Sequence, residues 1–469
     1  MIAMSFDVMK KMRKIFLPLT LVLILLNTFP LRASPPAGAL VIRHVTIIDA
    51  TGAQPKPNMT LVIIDGRISD IGADGSVSVP KGAQVIDARR KFLIPGLWDM
   101  HVHLAKTGEN TLPLFIANGV TSVRDCGGDY ELLLRWRKEI AEGKLSGPRI
   151  KASGPILESA SNVERMKREG TVEPVDRFRL GVPNAESAEA IAARIAAMGV
   201  DFIKIRTVAS LETYRAIAAA AQKHNLALVG HAAASPEEII KAGQRSVEHS
   251  FIPPLSSRTQ KQRAELFRKM AAEKIAVTPT LIVGEALLTS YERAAAIAED
   301  SEGKLDVRRR YLSGYLIEDW REQVAEKKEA RMDLTKMLAE RVRDLREMHQ
   351  AGVTLLPGTD AGVLLIFPGF SLHDELRLMV EQVGLTPMEA IVSATRRPAE
   401  FLGLAQSLGT IERGKIADLV LLDANPLDHI SAMQRIAGVA VGGRFFSKAE
   451  LQQMLARIES AASREKQSK

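Results

Sequence analysis

Cysteine is almost missing from this chain: one residue, Cys126, in 469. An intrachain disulfide and a cysteine-rich zinc module are therefore both excluded. Aromatic residues are scarce at 5%. Long apolar runs are limited to a single stretch near the start, which argues against a polytopic membrane protein. Histidine is also sparse, with nine residues, so their placement carries information. Hydrophobic residues make up 46% and charged residues 25%, ordinary for a globular chain and unlike a disordered or collagen-like one. The remaining oddity is a formal charge of +8, which raises nucleic acid or an anionic membrane as a partner.

The position of that charge answers the question. Residues 1–33 hold Lys10, Lys11, Arg13, Lys14 and Arg32 against Asp7, a net of +4. From Arg457 onward four basic groups face two acids, a net of +2, leaving +2 for the body. The first 33 residues read as a secretory signal: a basic segment, the apolar run Ile15–Phe29, then small residues at Ala33–Ser34 and Ala37–Ala39. The run is shorter than the ~20 residues that span a bilayer; an uncleaved anchor is the competing reading. No cysteine follows it, so a lipid anchor on cysteine is excluded, and Met9 and Met12 are alternative starts. The expectation is a periplasmic or secreted protein with no nucleic-acid partner and no stable membrane insertion once the signal is removed.

Residues 39–73 alternate like strands, with Asp65-Gly66 as a tight hairpin signal. Ala417–Leu422 and Val439–Arg444 look similar near the other end. The two β-rich ends, 39–93 and 405–448, are expected to pair into one small discontinuous β-sandwich domain. Between them, 94–404 alternates short β runs with Ala-rich helical stretches such as Ala188–Met198, Leu211–His224 and Pro236–Ala242. Eight strands are read: Trp98–His103, Val120–Arg124, Arg149–Ser153, Phe202–Arg206, Leu226–His231, Ser246–Ser250, Ile275–Thr280 and Val353–Gly358. Repeated βα units argue a parallel sheet, and eight of them an α/β (β/α)8 TIM barrel. Residues 154–183 are polar without a clear period and read as a loop. Residues 284–347 are charged and helical, longer than one return helix requires; they suit a solvated helix pair, a lid or a dimer contact. Residues 449–469 read as a C-terminal helix and tail.

His101 and His103 end the first of these strands. Side chains two apart on a strand share a face, so both imidazoles can reach one point, with Asp99 on the same face one step deeper. A lone His-x-His is weak evidence. His231, His249 and Asp360, however, fall at the ends of the fifth, sixth and eighth strands, where barrel active sites form. Imidazole with carboxylate suits zinc and related divalent ions. Lys204 interrupts an apolar strand. It either snorkels to water or is a lysine whose pKa burial lowers from ~10.4 and which is modified or pairs with the site. Arg206, two further along, shares its face and could grip a carboxylate or pair with a loop acid. His373 after strand eight and Tyr130 after strand two are further substrate-binding candidates; helix-capping and packing roles compete.

Taken together these segments resemble the metal-dependent amidohydrolase superfamily, in its imidazolonepropionase-like and Xaa-Pro/Xaa-Arg dipeptidase-like branch. The resemblance rests on Pro95-Gly96 through His103, Ile203-Lys204, Gly230-His231, Glu248-His249 and Gly358-Thr359-Asp360-Ala361-Gly362. It continues through His373-Asp374-Glu375-Leu376, Ala394-Thr395 to Pro398-Ala399, and Gly409-Thr410-Ile411 to Asp418-Leu419-Val420. It implies two divalent ions, zinc by preference, bridged by a carboxylated Lys204. His101, His103 and Asp360 would hold one ion, and His231 and His249 the other. Asp360 would act as general base and then acid in hydrolysis of an amide C–N bond. Ala232-Ala233-Ala234 follow His231 where related dipeptidases often carry a tyrosine. The expected substrate is a small-molecule amide, a dipeptide or an N-acyl amino acid. A cyclic amide or a xenobiotic amide or carbamate with the same site, and an inactive barrel used as a binding protein, are the alternatives. A homo-oligomer stays open.

Overall fold

The computed structural model describes residues 38–250, 255–312, 314–329 and 334–467. The signal reading of residues 1–33 lies outside them. Apolar alternation at the start produces β1 (Leu40–Ile47), β2 (Lys56–Ile64) and β3 (Arg67–Ala73), which form an antiparallel meander. Asp65-Gly66 makes the second turn, with φ +49° and +71°, the geometry that matches strand twist in a two-residue hairpin. β4 (Gln84–Asp87) and β5 (Phe92–Pro95) then run parallel to β1.

The barrel begins one residue later with β6 (Leu97–Val102), followed by β7 (Val120–Asp125) and β8 (Arg149–Ala152), all parallel. β9 (Ile156–Ser159) resumes the path of β8 after a break at Gly154, which has φ +69°. β10 (Arg179–Val182) pairs outside β9. β11 (Phe202–Ile205), β12 (Ala227–Gly230), β13 (Ser246–Glu248) and β14 (Ala276–Thr278) continue the parallel order. Residues 154–183 are therefore not a loop. They hold two strands, a helix, Ala160–Glu169, capped by the Ser159 hydroxyl, and a single helical turn, Val175–Phe178. The helix face escaped notice because it buries only Val163, too little for a periodic signal.

The eighth strand differs from expectation. Residues 353–358 form no ladder beyond the single bridge Val277–Leu355. They still close the ring: Leu356 N–H donates to Val277 O at 2.9 Å, and Met100 N–H donates to Pro357 O at 2.8 Å. Pro357 has no N–H to give, so a regular ladder stops there.

β15 (Leu419–Leu422) returns the chain to the first sheet, antiparallel to β5 with Leu421 opposite Leu93. β16 (Ile436–Val441) and β17 (Arg444–Ser447) complete it. Val439–Arg444 is thus the end of one strand plus its Gly442-Gly443 turn. Both chain ends build one small β domain, as the alternation requires, around Ile42, Ile47, Leu61, Leu93 and Leu421. The helix Lys448–Gln467 follows. Among the described residues no helix is long and apolar enough to cross a membrane.

The insertion is helical, as its composition implies: Leu281–Leu288, Tyr291–Glu299, Tyr315–Glu329 and Thr335–Gln350. Trp320, Leu316, Ile317 and Tyr311 pack with Leu364 and Phe367 into a separate apolar cluster beside the barrel. Asp319 and Gln323 of the Tyr315–Glu329 helix reach Lys106 and the carbonyl of Gly362. That helix therefore lies against the C-terminal mouth of the barrel.

Candidate metal centre

β6 delivers His101 into the barrel and His103 to its rim, as two-residue spacing demands. Glycines make room for the neighbours. A Cβ on Gly358 would sit 2.7 Å from His101 Cβ, and one on Gly230 would sit 2.0 Å from Ile205 O. Both clashes are prohibitive, which explains the glycines ahead of His231 and Asp360. Lys204 projects inward from β11 and is buried.

These side chains converge. Ring centroids lie 5.4 Å apart for His101 and His103, 4.7 Å for His101 and His249, and 4.8 Å for His231 and His249. Asp360 Oδ1 is 3.2 Å from His103 Nε2 and 3.5 Å from His101 Nε2. Lys204 Nζ is 3.5 Å from His101 Nε2. One atom each from His101, His249 and Asp360 falls within a 4.8 Å cluster suited to an ion. All six residues line one cavity of about 190 Å³ at the C-terminal ends of the strands.

The other ring nitrogens are engaged. His101 Nδ1 meets Glu248 Oε2 at 2.8 Å, His103 Nδ1 meets Gly127 O at 2.8 Å, and His249 Nδ1 meets Thr280 Oγ1 at 2.9 Å. The Glu248 and Gly127 oxygens only accept, so His101 and His103 are left with Nε2 as the remaining nitrogen, the arrangement that orients histidine for a metal. Burial, with Lys204 adding to it, pulls His101 down to about 4. Burial also holds His231 and His249 well below the usual imidazole range. Neutral rings are what a divalent ion needs. Burial would raise the Asp360 carboxyl, but the surrounding imidazoles win and keep it ionised. The donor set thus fits a pair of divalent ions.

Beneath the histidines lies a buried polar network, of which β7 supplies Arg124. Its guanidinium donates to Met100 O at 2.6 Å, to Ser246 Oγ at 3.0 Å and to both Glu248 oxygens at 2.8 Å. Burial opposes ionisation of Glu248, yet Arg124 and His101 keep it well below the carboxylate range. Arg124 had no assigned role in the sequence, although a charge inside a small-residue strand was the same signal that marked Lys204. Glu248 had none beyond its motif. Strand alternation would place Glu248 and His249 on opposite faces, but His249 has φ +65°, and that left-handed step turns both inward.

Asp99 does not orient an imidazole. It accepts from the backbone N–H of His101 at 3.2 Å, and from Thr359 N–H at 3.0 Å and its hydroxyl at 2.6 Å. It therefore ties β6 to the segment that carries Asp360, and burial pushes it up to about 7.

The rim was mostly invisible in sequence. Arg206 lines the cavity and its Nη1 donates to Glu158 Oε1 at 3.2 Å. The expected acid partner thus exists, on β9, while 42% of the Arg206 side chain stays exposed. Arg179 also lines the cavity; it binds Glu158 at 2.8 Å and Glu173 through two donors. Lys106 Nζ lies 3.1 Å from Glu173 and 3.5 Å from Asp319.

The other two substrate candidates are elsewhere. His373 is buried on the Ser371–Leu378 helix, its Nε2 2.9 Å from Asn118 O. Asn118 precedes β7, so this contact is at the barrel end opposite the site. Tyr130 is buried in the core and donates to Gly199 O. Neither borders the cavity.

Residues 92–446 match the model of the amidohydrolase family. The chain belongs to that family. The match spans the barrel and the C-terminal part of the β domain, and makes the protein a hydrolase. Ochratoxinase of Aspergillus niger is 24% identical, over 88% of this chain and 88% of its own. An imidazolonepropionase of Anaeromyxobacter dehalogenans is 24% identical over 85% of this chain and 93% of its own. A crystal structure of a Xaa-Pro dipeptidase with bound methionine in its active site superposes with a TM-score of 0.65 at 25% identity, covering 87% of this chain and 100% of that one.

Proposed function

We propose that this amidohydrolase is a binuclear metallohydrolase that cleaves the C–N bond of a dipeptide or N-acyl amino acid. The observation carrying the proposal is the convergence of four imidazoles, Lys204 and Asp360 on one cavity. His101, His103 and Asp360 would hold one ion, His231 and His249 the other, with Lys204 as a bridging carbamate. Lys204 is 2% exposed and makes no ion pair among the described residues. A buried ammonium without a counter-charge is unfavourable, and carboxylation converts it into an anionic ligand. When bound, divalent ions acidify a shared water and polarise the scissile carbonyl. Asp360, ionised and 3.2 Å from His103 Nε2, accepts the proton of the attacking water and passes it to the leaving nitrogen. Glu248 and the Gly127 carbonyl hold the His101 and His103 imidazoles in the required tautomer. Arg206, exposed at the mouth, takes the substrate carboxylate through its forked donors.

Dipeptidase or N-acyl amino acid chemistry is supported by the Xaa-Pro dipeptidase and ochratoxinase likenesses together with cationic Arg206. The histidine-rich donor set favours zinc, and export rests on residues 10–34. Zinc-loaded protein screened against dipeptides and N-acyl amino acids should release free amino acids, contain about two ions per chain and lose activity to a chelator. A protein that folds stably without metal and is inert to the whole panel would instead be a binding barrel. Lys204→Ala should lose both ions; full turnover by that variant would refute the carbamate. N-terminal sequencing of exported protein tests the signal.

A further inference from the structure

Behind His249 the backbone is strained in three places. His249 has φ +65°, Ser250 +53° and Thr280 +46°. None is glycine, and Thr280 is β-branched, the type for which a left-handed φ is a genuine outlier. Such residues persist only where their surroundings over-determine them. One side chain reaches this whole cluster. Arg341, on the Thr335–Gln350 helix outside the strands, is 4% exposed. Its Nε donates to Ser250 Oγ at 2.6 Å and its Nη2 to Thr280 Oγ1 at 3.3 Å. The same Thr280 oxygen lies 2.9 Å from His249 Nδ1.

We infer that Arg341 is a positioning residue for the metal site: acting through Ser250 and Thr280, it holds the left-handed turn that aims His249 into the cavity. The inference rests on the proposed role of His249 as a ligand. A guanidinium only donates, so the hydroxyl oxygens of Ser250 and Thr280 both accept from Arg341, and Thr280 Oγ1 is at the same time in hydrogen-bond contact with the His249 ring. Burial draws Arg341 down only to about 10, so it remains cationic at neutral pH, and the buried Glu375 carboxyl adds to its field. Lysine is no substitute. The two hydroxyls are reached by different nitrogens of one planar fork, whereas an ammonium is a single point.

The test uses full-length zinc-loaded protein dialysed against a graded chelator, with zinc per chain and far-UV circular dichroism as readouts. Wild type should hold two ions. Arg341→Met and Arg341→Lys should keep one and release the other at a roughly 10–100-fold weaker chelator challenge, the range for losing a partner that orients a ligand. Thr280→Ala should show the same defect and Thr280→Ser should not. Arg309→Met is the structural control. Arg309 is equally buried but donates to Ala298 O and Leu312 O, so its loss should lower the melting temperature and spare both ions. A folded Arg341→Met that retains both ions like wild type overturns the inference. Should that variant fail to fold, full retention by Thr280→Ala overturns it instead. Wild type that holds no divalent ion rejects the ligand role of His249, and the inference with it.

Discussion

The floor and the rim of the cavity are built on different principles. The floor is Arg124, Glu248, His101 and Lys204, all side chains from barrel strands and all buried. Arg124 and Glu248 have their geometry imposed by several neighbours at once: the Arg124 guanidinium alone donates to four residues. The rim is Lys106, Glu158, Glu173, Arg179 and Arg206. Glu158 and Arg179 come from the β9–β10 excursion, Glu173 from the segment between those strands, and Lys106 leans on the insertion through Asp319. Its charges pair with one another, and some face water. Closed barrel strands can hold a reacting constellation to tenths of an ångström, while excursions between strands can change without disturbing it. Under the proposed function, chemistry is written into the floor and substrate choice into the rim.

Removing Asp360, the carboxylate that stands over the floor, should have the largest consequence. Asp360→Asn should lower kcat by about 10²–10⁴-fold, the span expected on losing a general base, with little change in secondary structure by circular dichroism. An effect confined to KM would move Asp360 from the chemistry to the rim. Glu248→Ala leaves Arg124 uncompensated inside the barrel. Denaturant unfolding should register a loss of about 3–5 kcal/mol, as for a broken buried pair. A loss below 1 kcal/mol would mean that the floor is less rigid than its contacts suggest.

The rim should respond to pH. Burial would raise the Glu173 carboxyl, but Arg179 and Lys106 hold it at about 2. A carboxyl depressed in the folded state stabilises above its unfolded pKa and loses that contribution as pH falls. The window runs from about pH 5 to pH 2 and is worth about 3 kcal/mol. Glu173→Gln should remove this slope, so that the gap between wild type and variant narrows by that amount on acidification. A constant gap would show that the ion pair carries no net stability. The smallest effect belongs to Arg206→Met. KM should rise by about 10–100-fold for carboxylate substrates, the worth of a charged hydrogen bond, and stay unchanged for a neutral ester analogue. Equal loss on both would assign Arg206 to Glu158 alone.

Legibility in the sequence followed the same divide. The hairpin at Asp65-Gly66, seven of the barrel strands and the six converging side chains could all be read, because strand periodicity and strand-end placement are local. The 154–183 segment escaped, since its elements are short and its longest helix buries only Val163, which leaves no pattern. The eighth strand was read at Val353–Gly358, but it forms no ladder, because Pro357 interrupts it while contacts from both neighbours still close the ring. His373 and Tyr130 were placed at the mouth by their order in the chain. Burial against Asn118 O and Gly199 O took them away.

By itself the sequence determined a parallel barrel, a β domain shared by both ends, and the strand-end placement of four histidines, Lys204 and Asp360. Only the tertiary structure decided which oxygens the His101, His103 and His249 rings meet, because Glu248, Gly127 and Thr280 lie 147, 24 and 31 positions away from them. It also decided that Glu248 and His249 point the same way, against strand alternation. A left-handed φ is too costly for the local sequence to hold alone, and a buried guanidinium more than 90 residues downstream bonds the hydroxyls on either side of it.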